Sequence, residues 1–231
     1  MLSPFPAIAN FLRQSHRCQL CQLPTPPPHD YWCPDCRARF AELPYCQHCG
    51  ATHHHTTPYC GACLRDPPPW QRLYRLGEYR FPLDQLIRQL KFRRHFWLAK
   101  PLALALAPQI TAPAPVLLPV PLHPLRHLSR GFNQSTLIAQ PLANTLDSQC
   151  LPRAIRRVRH TPYQRLLTKT ERRHNLNHAF ALNNTRLPRH VALVDDVVTT
   201  GSTLSALCVL LHGQGVERID IYCLCHTPAI R

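Results

Sequence analysis

No run of about 18 apolar residues occurs anywhere in the chain, so no membrane-spanning helix is expected. Leu102 to Ala107 is apolar but short, and reads as a buried helix. Met1 to Leu12 lacks a basic start and has only a brief apolar run, which argues against a secretory signal. No G-x-x-x-x-G-K-[ST] sequence is present, which argues against a Walker-type ATPase. Acids are scarce: 12 Asp and Glu stand against 27 Lys and Arg, a formal net charge of +15. That balance points to anionic partners, either phosphorylated metabolites or nucleic acid. The 231 residues can hold one medium domain and one small one.

Large apolar residues are also few between residues 18 and 63, and so small a segment cannot bury an adequate core. Cysteine is abundant there instead. Eight of the twelve cysteines form four C-x-x-C pairs: Cys18/Cys21, Cys33/Cys36, Cys46/Cys49 and Cys60/Cys63. Two residues between thiolates make a knuckle whose sulfurs both reach one tetrahedral zinc. Four knuckles make two four-cysteine sites, either successive (18/21 with 33/36, then 46/49 with 60/63) or cross-braced. Metal binding supplies the folding free energy that the segment lacks, and no coordination position stays open, so two structural Zn2+ ions are expected. Thioredoxin-like chemistry does not fit four pairs in so short a segment. His48 and His53 to His55 are expected to be exposed loop residues, because thiolates already fill both sites. Cys150, Cys208, Cys223 and Cys225 lie in apolar strand, helix or loop contexts and are not expected to be ligands. Paired cysteines used this way imply a reducing, cytoplasmic setting.

Pro67 to Pro69 form a stiff, extended spacer, which places a domain boundary near residue 70. Residues 1–69 then form a zinc-bound module and residues 70–231 the main domain. The first carries five Lys and Arg against four acids, the second 22 against eight. The excess concentrates in Arg88 to Lys100 and Arg153 to Arg173. Beyond the boundary, Leu83, Leu86, Ile87 and Leu90 recur at helical spacing. Further helices are expected over Lys100–Ala107, Gln134–Leu146 and Thr203–Leu211, the last with Gly213 beyond its end. Strands are expected over Val116–Val120, Ile155–Val158, Ala179–Leu182, Val191–Val194 and Ile219–Cys225. Strands alternating with helices argue for a parallel α/β sheet.

Val191 to Leu204 carries the most chemistry. Four apolar residues read as a buried strand, with Asp195 and Asp196 at its carboxyl end. In such sheets ligands bind at the carboxyl ends of strands. Thr199, Thr200, Ser202 and Thr203 offer hydroxyls, and Gly201 permits close backbone approach. A helix follows, and its first N–H groups suit an anion. Phosphate beside paired acids that accept from sugar hydroxyls describes a ribose 5-phosphate. The segment resembles the phosphoribosyl pyrophosphate (PRPP) motif of type I phosphoribosyltransferases. The resemblance implies that Asp195 and Asp196 hold the ribose hydroxyls and that Thr199 to Thr203 hold the 5-phosphate.

The segment after the Val116–Val120 strand places His123, Arg126, His127 and Arg130 at a second strand end. Guanidinium groups there suit a pyrophosphate. The chain resembles the ComF/GntX family over about residues 16–227. The cues are the paired zinc knuckles, the proline step with Trp70, Leu90-Lys-Phe-Arg93, Pro121-Leu-His123 and Arg130-Gly-Phe-Asn-Gln134. They continue through Arg172-Arg-His-Asn-Leu176, Ala179-Phe180 and Val194 to Thr203, and Cys223-Leu-Cys225 is closest to the GntX branch. The resemblance implies a double zinc ribbon before a type I phosphoribosyltransferase-like parallel sheet with flanking helices. It also implies PRPP with Mg2+ as ligand and a role in DNA uptake or nutrient use of DNA, beside competence machinery. Lys91, Arg126 and Arg130 are then candidates to neutralise a departing pyrophosphate, with His123 beside the substrate. Two readings stay open. One is transfer of phosphoribosyl to an acceptor. The other is a competence factor that binds single-stranded DNA, with a regulatory or vestigial PRPP site. Arg159 to Arg173 would be a catalytic flap in the first and a DNA-contact surface in the second.

Overall fold

The computed structural model describes residues 17–25, 31–40, 43–122, 131–158, 179–183 and 185–227. The chain forms two compact units, Met1–Glu42 and Leu43–Arg231. The second cysteine cluster therefore belongs to the same compact unit as the main sheet. The division near residue 70 sets the cysteine-rich chain apart from the chain that forms the main sheet and is kept as a proposal.

In the first unit a short helix, α1 (Pro34–Ala38), carries Cys36. The first knuckle turns tightly, with Cys18 N–H donating to Leu23 O and Gln22 N–H to Cys18 O. Trp32 and Phe40 meet edge to face at 4.8 Å, and both are buried. Among the described residues these two rings, with Cys18, Cys33 and Cys36, are the apolar interior here, as expected of a unit too small for a larger core.

The second unit opens with the Cys46–Cys49 turn and α2 (Gly61–Arg65). It continues through β1 (Arg72–Glu78), α3 (Leu83–Phe92), α4 (Ala99–Leu106), β2 (Val116–Pro119) and α5 (Gln134–Thr145). Then come β3 (Gln149–Cys150), β4 (Ile155–Arg157), β5 (Phe180–Leu182), β6 (His190–Val198), α6 (Ser202–His212) and β7 (Arg218–His226). Five strands make one parallel sheet in the order β1-β7-β6-β2-β3. The α/β class is as expected. Leu73, Val116, Leu118, Val191, Leu193, Ile219 and Ile221 pack with Leu204, Leu207, Cys208 and Leu211 of α6. The alternate residues Tyr74, Ala192, Val194, Tyr222 and Leu224 are equally buried. Side chains alternate across a strand, so a second helical layer is required. It is built by α4 against β1 and β7, and by α5 against β2 and β6.

Three expectations change. Residues 155–157 and 180–182 are strands, but they pair antiparallel in a separate two-stranded sheet. Three residues apiece carry no pattern that tells strand direction. The central strand does not stop at Val194; it runs through both carboxylates to Val198, because β7 pairs with it as far as Val198↔His226. The edge strand β1 was not expected, since the buried Arg75 and Gly77 interrupt its apolar pattern.

Candidate functional site

The carboxyl ends of β2 and β6 bring the two acids against α3 and α5. Val120 N–H donates to Val194 O at 2.9 Å. Asn133 donates through Nδ2 to Val120 O at 3.0 Å, and its Oδ1 accepts from Ser135 N–H at 3.0 Å, capping α5. Ser135 Oγ then donates to Asp195 Oδ1 at 3.1 Å, and Asp196 N–H donates to the same oxygen at 2.9 Å. Both of these hydrogen bonds fall on Oδ1. The carboxyl is raised well above the ordinary Asp range, to about 7, by burial first and then by the adjacent Asp196 charge. Lys91 and the two hydrogen bonds act the other way.

Asp196 is more deeply set. Its Oδ1 accepts from Val197 N–H at 2.7 Å, and Lys91 Nζ lies 2.7 Å from Oδ2. The helix α3 delivers this lysine because Leu83, Leu86, Ile87 and Leu90 bury one face and fix its rotation. Lys91, expected as a neutraliser of pyrophosphate, therefore stands on a carboxylate.

After Val198 the chain turns through Thr199 and Thr200, both exposed, into α6. Gly201 is the residue before the helix, has φ 70° and brings no capping side chain of its own, while Ser202 N–H donates to Thr200 Oγ1 at 3.5 Å. The first turn of α6 carries the positive end of the helix, which suits an anion. Thr200 Oγ1 and Ser202 Oγ lie 2.9 Å apart, and Thr203 follows in the first turn. Thr227 N–H donates to Val198 O at 2.9 Å and ties down the start of the loop. His123, Arg126 and Arg130, with Arg159 to Arg173, lie outside the described residues. Ser135 and Asn133 escaped sequence reasoning; only the N-cap type of Asn133 before a helix signalled them.

The cysteines group in sequence order: Cys18, Cys21, Cys33 and Cys36, then Cys46, Cys49, Cys60 and Cys63. Within each group all four Sγ atoms lie within 4.8 Å of one another. The Sγ–Sγ separations include 3.7 Å for Cys21–Cys33, Cys49–Cys60 and Cys60–Cys63, and 3.9 Å for Cys46–Cys63. Zinc–sulfur bonds of about 2.3 Å in a tetrahedron give sulfur–sulfur edges of roughly 3.8 Å, so both donor sets fit zinc. Cys208, Cys223 and Cys225 sit in the core, apart from either group. His53 to His55 are exposed as expected, but His48 is buried, because Trp70 and Gln71 fold over it. Its Nδ1 faces the Gln71 carbonyl at 3.0 Å.

Comparison with known proteins agrees with this geometry. Residues 133–231 match the phosphoribosyl transferase domain family. The chain is 39% identical over 202 residues to competence protein F of Haemophilus influenzae, covering 82% of this chain and 88% of that protein. It is 41% identical over 221 residues to DNA utilization protein YhgH of Escherichia coli O157:H7, and 40% identical over 221 residues to the protein of that name in Escherichia coli K12. Both matches cover 91% of this chain and 96% of the relative.

Proposed function

The chain belongs to the family of competence protein F and DNA utilization protein YhgH, and from that premise we propose that it binds PRPP between β6 and α6 in the service of DNA uptake or use. One observation carries the reading. The Asp195 carboxyl, with both of its hydrogen bonds on Oδ1, and a hydroxyl-lined helix start follow one another at the end of β6. Asp196 to Val198 of the strand and then Thr199, Thr200 and Gly201 lie between them. The first accepts from ribose hydroxyls. The second, with Thr199, Thr200, Gly201, Ser202 and Thr203, takes the 5-phosphate. Asp196 supports the diol side through its hold on Lys91. Mg2+ bound with the diphosphate would offset its negative charge. In a transfer reaction, Arg126 and Arg130 are candidates to neutralise the leaving group, with His123 a candidate beside the substrate, and water must be excluded from the anomeric carbon.

Calorimetric titration with PRPP and Mg2+ tests this. Saturable binding is expected for the wild type and loss of binding for Gly201→Val, whose β-branched side chain resists positive φ and meets Trp70. Wild-type affinity in that variant would move the site elsewhere.

A second reading has its own observation. Phe92, Phe96 and Trp97 are exposed beside the exposed Arg88, Arg93 and Arg94. Stacking rings among cations suit single-stranded DNA. Its affinity should fall by about 0.7 logarithmic units per phosphate contact for each tenfold rise in salt. Trp97→Ala with Arg93→Ala should weaken DNA binding and leave PRPP affinity unchanged. Arg156, Arg157 and Arg159, each changed to Ala, form the parallel test of the other basic cluster. DNA binding indifferent to both sets would remove this reading.

A further inference from the structure

Trp70 lies between two features that the chain separates by about 150 residues. On one side its Nε1–H donates to the His48 carbonyl at 2.7 Å. His48 and Gln47 are the two residues inside the Cys46–Cys49 knuckle. The knuckle is fastened to the same segment twice more, by Leu73 N–H to Gln47 O at 2.8 Å and by His48 Nδ1–H to Gln71 O at 3.0 Å. Gly50, next after the knuckle, is so close that a Cβ there would lie 2.7 Å from Leu73 Cδ2. On the other side of Trp70 stands Gly201. A Cβ on Gly201 would lie 2.8 Å from Trp70 Cη2, with Cζ3 and Cζ2 at 3.6 and 3.8 Å. The far edge of the indole is thus the floor on which the left-handed residue of the loop rests. Trp70 is itself 5% exposed and belongs to the cluster that contains Leu204 and Leu207 of α6.

We propose that Trp70 is a positioning residue that conveys the state of the second cysteine cluster to the phosphate loop. With metal holding Cys46, Cys49, Cys60 and Cys63, the knuckle carbonyl fixes the indole, and the indole fixes Gly201 at φ 70°. When the knuckle loosens, the indole loses its anchor and the first turn of α6 loses its floor. A ring at this point can shift a helix start without unfolding the sheet, because β6 and β7 are paired independently of the knuckle. The first cysteine cluster has no part in this coupling. The inference rests on reading the loop as an anion site only for its consequence, not for its mechanics.

The readout is amide exchange at Ser205, whose N–H donates to the Gly201 carbonyl at 2.8 Å. The full-length, zinc-loaded protein is compared with Trp70→Phe, which keeps a ring but removes the donor and shortens the reach toward Gly201. Cys46→Ser with Cys49→Ser opens the second cluster, and Cys18→Ser with Cys21→Ser opens the first. We expect exchange across the 202–205 turn to quicken about tenfold in Trp70→Phe with both zinc ions retained. The same rise is expected in the 46/49 variant, and none in the 18/21 variant. Amides of α3 and α5 should stay as protected as in the wild type, which separates positioning from general destabilisation. PRPP affinity, measured on the same proteins, should drop about tenfold in Trp70→Phe. Unchanged exchange at Ser205 in Trp70→Phe overturns the coupling. If the wild type binds no PRPP while the exchange pattern holds, the ligand reading falls and the coupling stands.

Discussion

Asp195 illustrates how a buried carboxyl is held at a cost to the folded protein. Its carboxyl is raised from an ordinary 3.8 to about 7, chiefly by burial. Between those values the native protein keeps a proton that the unfolded chain has released. Stability therefore falls as pH rises from about 4 to about 7, and the full penalty stands above that range. Asp195→Asn removes the penalty. Its melting temperature should exceed that of the wild type near pH 8, and the gap should narrow toward pH 5, as followed by scanning calorimetry on ligand-free protein. A constant gap would return the carboxyl to the ordinary range. Asp196→Asn should act in the opposite direction. It leaves Lys91 without its carboxylate at 2.7 Å, a loss on the order of 2 kcal/mol in urea unfolding. Adjacent acids that look equivalent in the sequence thus separate into one bonded to Ser135 and one paired with a lysine. His48 shows the same limit: a polar residue in a knuckle looks exposed until a tryptophan 22 residues later covers it.

At the scale of elements, the legible parts were those with long, regular patterns. The helices α4, α5 and α6 appear within a residue of their expected ends, and the helical spacing of Leu83, Leu86, Ile87 and Leu90 falls on α3, as Leu204, Leu207, Cys208 and Leu211 fall on one face of α6. The strand holding the acids was visible as an apolar run, but its end was not. Paired charges normally mark a strand's exit, and only the partner β7 makes their backbone part of the sheet. β1 was hidden because its core-facing Arg75 is buried, reaching Leu43 O and Thr52 Oγ1, while Gly77 leaves room for Leu83. The N-terminus of α5 yields a prediction of its own. Asn133→Ala removes a cap and should cost about 1 kcal/mol. It also releases Ser135 from its place beside Asp195, so PRPP affinity should fall more than the modest loss of stability explains. Chemical denaturation and ligand titration on one preparation check both.

For the molecule as a whole, charge and metal divide the labour. Two zinc ions per chain are expected on elemental analysis of folded protein, with Cys208, Cys223 and Cys225 slow to react with thiol reagents until unfolding. Iron, or a single zinc in fully folded protein, would contradict the assignment. The relation between the second cluster and the sheet has one more consequence. β1 is an outer strand, and the side away from β7 would offer unpaired backbone to any passing chain. Residues 43–52 lie along that side: Gln47 O takes the Leu73 N–H, Leu43 O and Thr52 take Arg75, and Thr52 donates to Glu78. The loop that carries Cys46 and Cys49 is therefore an edge guard. A chelator should turn the protein turbid, by strand addition between molecules, at temperatures where circular dichroism still reports an intact sheet.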